Sequence, residues 1–525
     1  MLQLALLLGV LALTNAFNFG SLNSHPWLNN IFGFPELQQC CPANQAAVCL
    51  DCTKTSCGKN AECFPELDEE RPNRLLCACS EKFPVGDPYK KCFPAGTGIV
   101  NGDPHYITID GTHYDYQGTC PYYYSKPCNM SEEDRSYFSV KARNKPGAAN
   151  SAISIVDEVE VFVSGQTIHI DSKFNLFVNG IKRYFPFYYP SKDESWMKGN
   201  YAHINSDIFV RVIFAEYFIS VSVPKEEQYV GQLCGFAGNM NGNCSDDIVG
   251  ADGETLINSK CRYTKDIPTL TKIAKVLDTW LTNDFQGFDP TATHCEKGEI
   301  IAPKLKPCVN EQKFIQECLP IKQAIDGQGP FAACKVLGND IIQNFYESCA
   351  FDGCYVPEMK CKSFSTFVAQ CQQAAGNLKL PDWRTSTGCS MNCTNHGPFA
   401  AYSSCMKCQP TCGNPNPRDC TATCFEGCKC QDGYILDTSK NPPQCVKEAQ
   451  CPCIDSKGES YPQGYSWLHD DCLKKSVCLP GRLLTQPSAP CSAHSYCGKD
   501  NGYMACVCEK GYKKSGGITS DCVPI

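Results

Sequence analysis

Cysteine is the chemically reactive side chain that dominates this sequence, with 41 among 525 residues. At that density the chemistry is oxidative cross-linking, and disulfides persist only in an oxidising compartment. The other reactive side chains do not converge. The nine histidines are scattered, and there is no H-E-x-x-H, no Cys/His zinc spacing outside the cysteine-dense stretches, no G-x-S-x-G and no phosphate loop. His105 and His113 read as packing or surface residues, and nothing assembles a nucleophile, base and oxyanion donor, so no enzyme is expected. Asn129-Met130-Ser131, Asn243-Cys244-Ser245 and Asn392-Cys393-Thr394 are acceptor sequons for N-glycosylation.

The elements that must position these groups follow from where the cysteines are not. They crowd residues 40–92 and 308–522, and only six fall between 93 and 307. That middle region must therefore bury an ordinary apolar core. Ile155–Val163, Thr167–Ile170, Phe174–Val178, Ile208–Phe214 and Tyr217–Val223 are β-branched and aromatic runs of strand length, and Asn179-Gly180 is a hairpin turn signal, so an antiparallel β-sandwich is predicted. At the start of the chain, the apolar run Leu2–Leu13 ends on Thr14-Asn15-Ala16, the pattern of a signal peptide over 1–16. No later stretch is long and apolar enough to span a bilayer. Secretion without membrane insertion is expected. A formal charge of -8, with both signs mixed along the chain, supplies no basic stripe for nucleic acid.

Spacing further divides the chain into modules that carry resemblances. A cysteine-containing segment over 17–51 precedes Cys52, Cys57, Cys63, Cys77, Cys79 and Cys92, which resemble an EGF-like module over 52–92. Gly102-Asp103-Pro104-His105-Tyr106, Ile109-Asp110-Gly111 and Cys120-Pro121-Tyr122, with Leu233-Cys234-Gly235, Gly238–Gly242 and Asp246-Asp247 at the far end, resemble the von Willebrand factor type D domain, here 98–296. Cys308, Cys318, Cys334, Cys349, Cys354, Cys361, Cys371 and Cys389 look like the small helical eight-cysteine module that follows D domains (305–390). Ten cysteines from Cys393 to Cys451, with Gly427–Tyr434, resemble a trypsin-inhibitor-like module (391–453). A cysteine-rich linker module (454–490) and an EGF-like segment (491–525) complete the order. The resulting fold class is multidomain and mainly β: a sandwich D domain, a disulfide-rich helical module and small cysteine-rich modules.

The resemblance implies site residues. The EGF family pairing joins Cys52 to Cys63, Cys57 to Cys77 and Cys79 to Cys92, although sequence alone leaves every connectivity of six cysteines open. In the D domain the second cysteine of the C-G-L-C motif is replaced in Cys234-Gly235-Phe236-Ala237, and Gly98 stands where its partner would be. Cys234 is then expected to pair with Cys128, Cys120 with Cys295, and Cys244 with Cys261. Family calcium ligands match Asp110, Asn239, Asn241, Asp246 and Asp247, hard oxygen donors that suit Ca²⁺; an Asn/Gly/Asp-rich turn capped by its own side chains is the competing reading. In several relatives the bond matching Asp103-Pro104 breaks autocatalytically, because a protonated Asp carboxyl can attack its own carbonyl carbon while the proline nitrogen leaves; elsewhere Asp-Pro merely turns the chain.

The function this implies is adhesion or scaffolding among extracellular matrix or mucus glycoproteins. The alternative is serine protease inhibition through the loop Cys420-Thr421-Ala422-Thr423-Cys424, whose small residues suit an elastase-like pocket. Every module holds an even set of cysteines, which leaves Cys40, Cys41 and Cys49. Vicinal cysteines rarely bridge each other, so Cys49 pairs with one of the other two. The last, Cys40 or Cys41, is left free or intermolecular, and a disulfide-linked dimer or mixed disulfide with a matrix partner is expected.

Overall fold

A computed structural model describes residues 57–525 except 66–74, 81, 148–152, 189–193, 199–200, 292, 307, 309, 357, 376–377, 407–408, 416, 418–423, 456–457, 470, 480–481, 489, 501–502 and 516–520. The expected signal segment, Cys40, Cys41, Cys49 and Cys52 lie outside the described residues, as does most of the loop Cys420–Cys424.

The β-branched runs of the central region build two antiparallel sheets. In chain order the strands are β1 Ala95–Asn101, β2 His105–Ile107, β3 His113–Asp115, β4 Tyr122–Pro127, β5 Phe138–Pro146, β6 Ser154–Val163, β7 Gln166–Asp171 and β8 Leu176–Val178. They continue with β9 Ile181–Arg183, β10 Phe187–Tyr188, β11 Glu194–Lys198, β12 Tyr201–Asn205, β13 Arg211–Ala215, β14 Phe218–Pro224 and β15 Leu233–Cys234. One sheet runs β9-β8-β7-β6-β5-β4-β15 and the other β10-β11-β12-β13-β14-β1-β2-β3. Asn179 and Gly180, both at positive φ, turn β8 into β9 as predicted. Inward residues of both sheets, among them Val140, Val159, Val161, Val212, Ile219 and Val221, are buried in one core, which accounts for the low cysteine content here.

The strand runs read from sequence did not include β1, β4, β5, β10, β11, β12 or β15. β5 carries Lys141, Arg143 and Lys145, which hide its alternation, yet Lys141 is buried where its ammonium meets Glu160 at 3.0 Å and Asp284 at 2.6 Å.

An aromatic cluster ties the N-terminal hairpin to the 233–242 loop. Tyr106 stacks on Tyr114 at 4.9 Å and Tyr122 on Phe236 at 4.2 Å, while the Tyr106 and Tyr122 hydroxyls share a 2.8 Å hydrogen bond. Such ring pairs fix orientation as well as burying area. Helix α1, Ile267–Leu277, is capped by Asp266, whose carboxylate accepts from the Thr269 N–H, and packs its apolar stripe on the sandwich.

The helical module contains α2, Asn339–Tyr355, and α3, Met359–Ala375, bound by Cys308–Cys354, Cys318–Cys349, Cys334–Cys371 and Cys361–Cys389. Its core of Phe331, Phe345, Phe364, Phe367 and Trp383 is continuous with Ile99, Ile107 and Phe218 of the sandwich and with Phe425 of the next module. The region after 391 is held by Cys393–Cys428, Cys405–Cys424, Cys412–Cys451 and Cys430–Cys445. The last eight cysteines pair as Cys453–Cys478, Cys472–Cys497, Cys491–Cys506 and Cys508–Cys522. Cys472–Cys497 crosses the expected boundary at 490/491, so the linker module and the EGF-like segment form one cross-linked unit rather than two.

Candidate functional site

The five residues matched to a calcium site lie where the N-terminal hairpin meets the 233–247 loop. The Ile109 N–H donates to the Ala237 carbonyl at 2.9 Å, and Thr108 Oγ1 donates to Asp247 Oδ2 at 2.5 Å. Gly238, at φ +82°, is required beside Asp247: a Cβ there would meet Oδ1 at 2.5 Å. The loop also supports itself. The Asn241 N–H donates to Asn239 Oδ1 at 3.0 Å, Asn241 Nδ2 reaches Asp246 Oδ1 and Oδ2 at 3.3 and 3.2 Å, and Asn243 Oδ1 caps the turn at 244–246. Two observations go beyond a self-capped turn. Asp110 Oδ2 is buried without a hydrogen-bond partner, and burial, with the Asp110 carboxylate adding to it, pushes Asp247 up to about 7 against the pull of Thr108. One unpartnered buried carboxylate oxygen beside a second carboxylate fits a hard cation.

A second cluster is fully buried where the sandwich meets α2. His105 is the hub: Nδ1 stands 2.7 Å from Asp115 Oδ1, and Nε2 stands 2.7 Å from Asp352 Oδ1 and 2.8 Å from Asp103 Oδ1. Lys265 Nζ reaches Asp115 Oδ2 at 3.1 Å, and Ser363 Oγ donates to Asp352 Oδ2 at 3.1 Å. Gly102, at φ +65°, is the only residue type that fits, because a Cβ would collide with the Asp352 carboxylate. Burial alone would lower the His105 pKa, but Asp115, then Asp103 and Asp352, outweigh it and raise it well above the usual value, while Lys265 opposes them. Burial also tends to raise Asp115, yet the His105 and Lys265 cations bring it down to about 2. Asp103 is pushed well above the carboxylate range by burial and by Asp352. The cluster thus sets three carboxyls around His105 and Lys265, acidic groups facing basic ones as buried charges must.

This corrects the expectation for His105, which is neither a surface group nor passive packing. Its partners at 115 and 352 are brought together by the sheet and by a different module, and no local spacing announces them. His113 is packing, as expected: it is buried, and burial with Arg262 lowers it to about 4.

The cysteine pairs Cys57–Cys77, Cys79–Cys92, Cys120–Cys295 and Cys244–Cys261 form as expected. Cys63 is bridged, and its expected partner Cys52 lies outside the described residues. Cys128 and Cys234 differ from expectation: both are thiols, in hydrogen-bonding contact with each other. The ladder explains this. Cys234 lies opposite Lys126, and the Cys128 N–H donates to Gln232, so the two cysteines are diagonal neighbours. A diagonal pair is set further apart than a directly opposed one, and here the two thiols meet without a disulfide between them.

Asn129, Asn243 and Asn392 are all exposed, although Asn243 Oδ1 is engaged in the turn cap and Asn392 Oδ1 accepts from Thr394 Oγ1 at 2.7 Å. Among the described residues no helix is long and apolar enough to cross a membrane.

Family models match in series along the chain: von Willebrand factor type D domain over 98–254, C8 domain over 317–390, trypsin-inhibitor-like cysteine-rich domain over 397–451, and TILa domain over 452–507. The TILa match includes both Cys472 and Cys497, and so spans the expected boundary at 490/491. Mouse (Mus musculus) zonadhesin is 28% identical over 469 residues, 86% of this chain and 8% of that protein. Human (Homo sapiens) alpha-tectorin is 27% identical over 473 residues, 87% of this chain and 20% of that protein. Human IgGFc-binding protein is 26% identical over 454 residues, 84% of this chain and 8% of its own. The chain therefore spans a minor part of each of these relatives. In that order the chain carries a von Willebrand factor type D domain, a C8 domain, a trypsin-inhibitor-like domain and a TILa domain.

Proposed function

We propose that this chain is a secreted extracellular matrix, mucus or coat component that acts by adhesion or scaffolding. The observation that carries the reading is the continuous apolar seam joining the D domain to the C8 domain and to Phe425 of the inhibitor-like domain. It makes three modules one body whose outer surface is available for many weak contacts, the arrangement from which avidity arises. The relatives support an extracellular setting. Calcium belongs to the same reading: Asp110, Asn239, Asn241, Asp246 and Asp247 would hold it. Even an affinity of about 10⁻⁴–10⁻³ M suffices outside cells. The bound ion would fasten the 239–247 loop to the first hairpin.

Covalent events complete the reading. Glycans at Asn129 and Asn392, and at Asn243 if the turn opens, would cover exposed loops. Cys40 or Cys41 would link the chain to a second copy or to a matrix partner. The buried carboxyl of Asp103, which burial and Asp352 push well above the carboxylate range, supports scission of the Asp103–Pro104 bond. The test of the main reading is incubation of the purified full chain with native matrix or mucus extract and identification of what it retains; specific glycoprotein partners are expected, and a chain that stays a free monomer sinks it. Inhibition assays against elastase and chymotrypsin test the alternative.

A further inference from the structure

Gln117 follows β3 and is 2% exposed. Residues 115 and 117 fall on the same side of an extended chain: Asp115 faces His105, and Gln117 Nε2 donates to the backbone carbonyl oxygen of Asp103 at 3.0 Å. That oxygen belongs to the carbonyl of the Asp103–Pro104 bond. The amide cannot be turned round, because Gln117 Oε1 accepts from the Ser154 N–H at 2.7 Å, and a backbone N–H only donates.

We infer that Gln117 is a catalytic residue for scission of the Asp103–Pro104 bond, its side-chain amide stabilising the charge that develops on the Asp103 carbonyl oxygen. The inference rests on the reading that this bond breaks. Three further features agree with it. Oδ2 of the fully buried Asp103 carboxyl is without a hydrogen-bond partner, while Oδ1 lies 2.8 Å from His105 Nε2. Asp352 takes the His105 Nε2 hydrogen and covers the site from the C8 domain. The side chains of Asp103, His105 and Asp352 are fully buried, and a fixed donor acts far more strongly in such a site than in water.

The step balances without an outside reagent other than water. A carboxyl oxygen of Asp103 bonds to the Asp103 carbonyl carbon, and negative charge builds on the oxygen facing Gln117. The carbon–nitrogen bond to Pro104 then breaks, the carboxyl proton passes to the proline nitrogen, and the nitrogen leaves as a secondary amine. A five-membered cyclic anhydride remains at Asp103, and one water opens it to two carboxyls. The chain acts once, on itself.

The test uses the secreted full chain, incubated from acid to neutral pH. Scission is followed by reducing electrophoresis and by mass spectrometry of the new Pro104 terminus, with Asp103→Ala as the uncleaved control. Gln117→Leu is expected to slow scission about 100-fold. Gln117→Glu presents a donor only when its carboxyl is protonated, so its rate relative to wild type should climb as pH falls, a response that lost packing does not produce. If Gln117→Leu does not secrete as disulfide-complete protein, Gln117→Glu decides alone. Wild-type rates in the variants, or a Gln117→Glu ratio flat with pH, overturn the assignment of Gln117. A wild type that never cleaves removes the underlying reading instead.

Discussion

His105 and Asp352 meet across the boundary between two domains: Nε2 of one stands 2.7 Å from Oδ1 of the other, and both side chains are fully buried. Asp352 also takes the Ser363 hydroxyl. Replacing it by Asn leaves a buried imidazolium with one of its anions gone, which costs about 3 kcal/mol. Asp352→Asn is therefore expected to lower the denaturant midpoint of the folded chain and to expose the seam to limited proteolysis. An unchanged midpoint would show that the pair contributes nothing.

The same cluster sets a pH dependence. His105 is raised in the folded state, so its contribution is fully present below about 6.5 and is lost as pH rises through its folded value. The raised carboxyl of Asp103 acts with the same sign from about 3.8 upward. Asp115, lowered to about 2, contributes stability above its unfolded value that disappears as pH falls toward 2. The stability difference between wild type and His105→Gln should therefore shrink as pH rises beyond about 6.5, measured by urea unfolding across the range. A difference that grows with pH contradicts the sign.

Glu426 joins the C8 and inhibitor-like domains. It receives Arg384 at 2.6 Å, the Trp383 indole at 3.1 Å and the Tyr402 hydroxyl at 3.0 Å while only 1% exposed. Glu426→Ala strands the Arg384 guanidinium, at a cost of about 3–5 kcal/mol. Faster trypsin cleavage after Arg384 is expected, read by peptide mapping; wild-type resistance would argue that the pair is dispensable.

Calcium at the 239–247 loop predicts a stability shift. At calcium about ten times Kd the folded chain gains about 1.4 kcal/mol, seen as a higher thermal midpoint than in chelator. Asp247→Asn should abolish most of that difference, and an equal shift in wild type and variant would place the ion elsewhere.

Much of the architecture was legible because disulfide modules and β-branched runs are local signals. Asn179-Gly180 marks its own turn, and the cysteine-poor middle announces an apolar core. What escaped depended on long-range placement. Lys141 looks like a surface charge until Glu160 and Asp284 are folded around it. Gln117 carries no motif, and its meaning appears only when Ser154 fixes one end of its amide and the Asp103 carbonyl meets the other. Cys128 and Cys234 were matched as a pair, but the register sets them on a diagonal.

The adhesion account is tested most directly by measuring the fraction of full-length secreted chain retained by native mucus gel or extracellular matrix, with calcium and with chelator. The account predicts specific, saturable retention that weakens on chelation and survives salt that removes nonspecific charge contacts. Full recovery in the free phase as a monomer, under every one of those conditions, would contradict it.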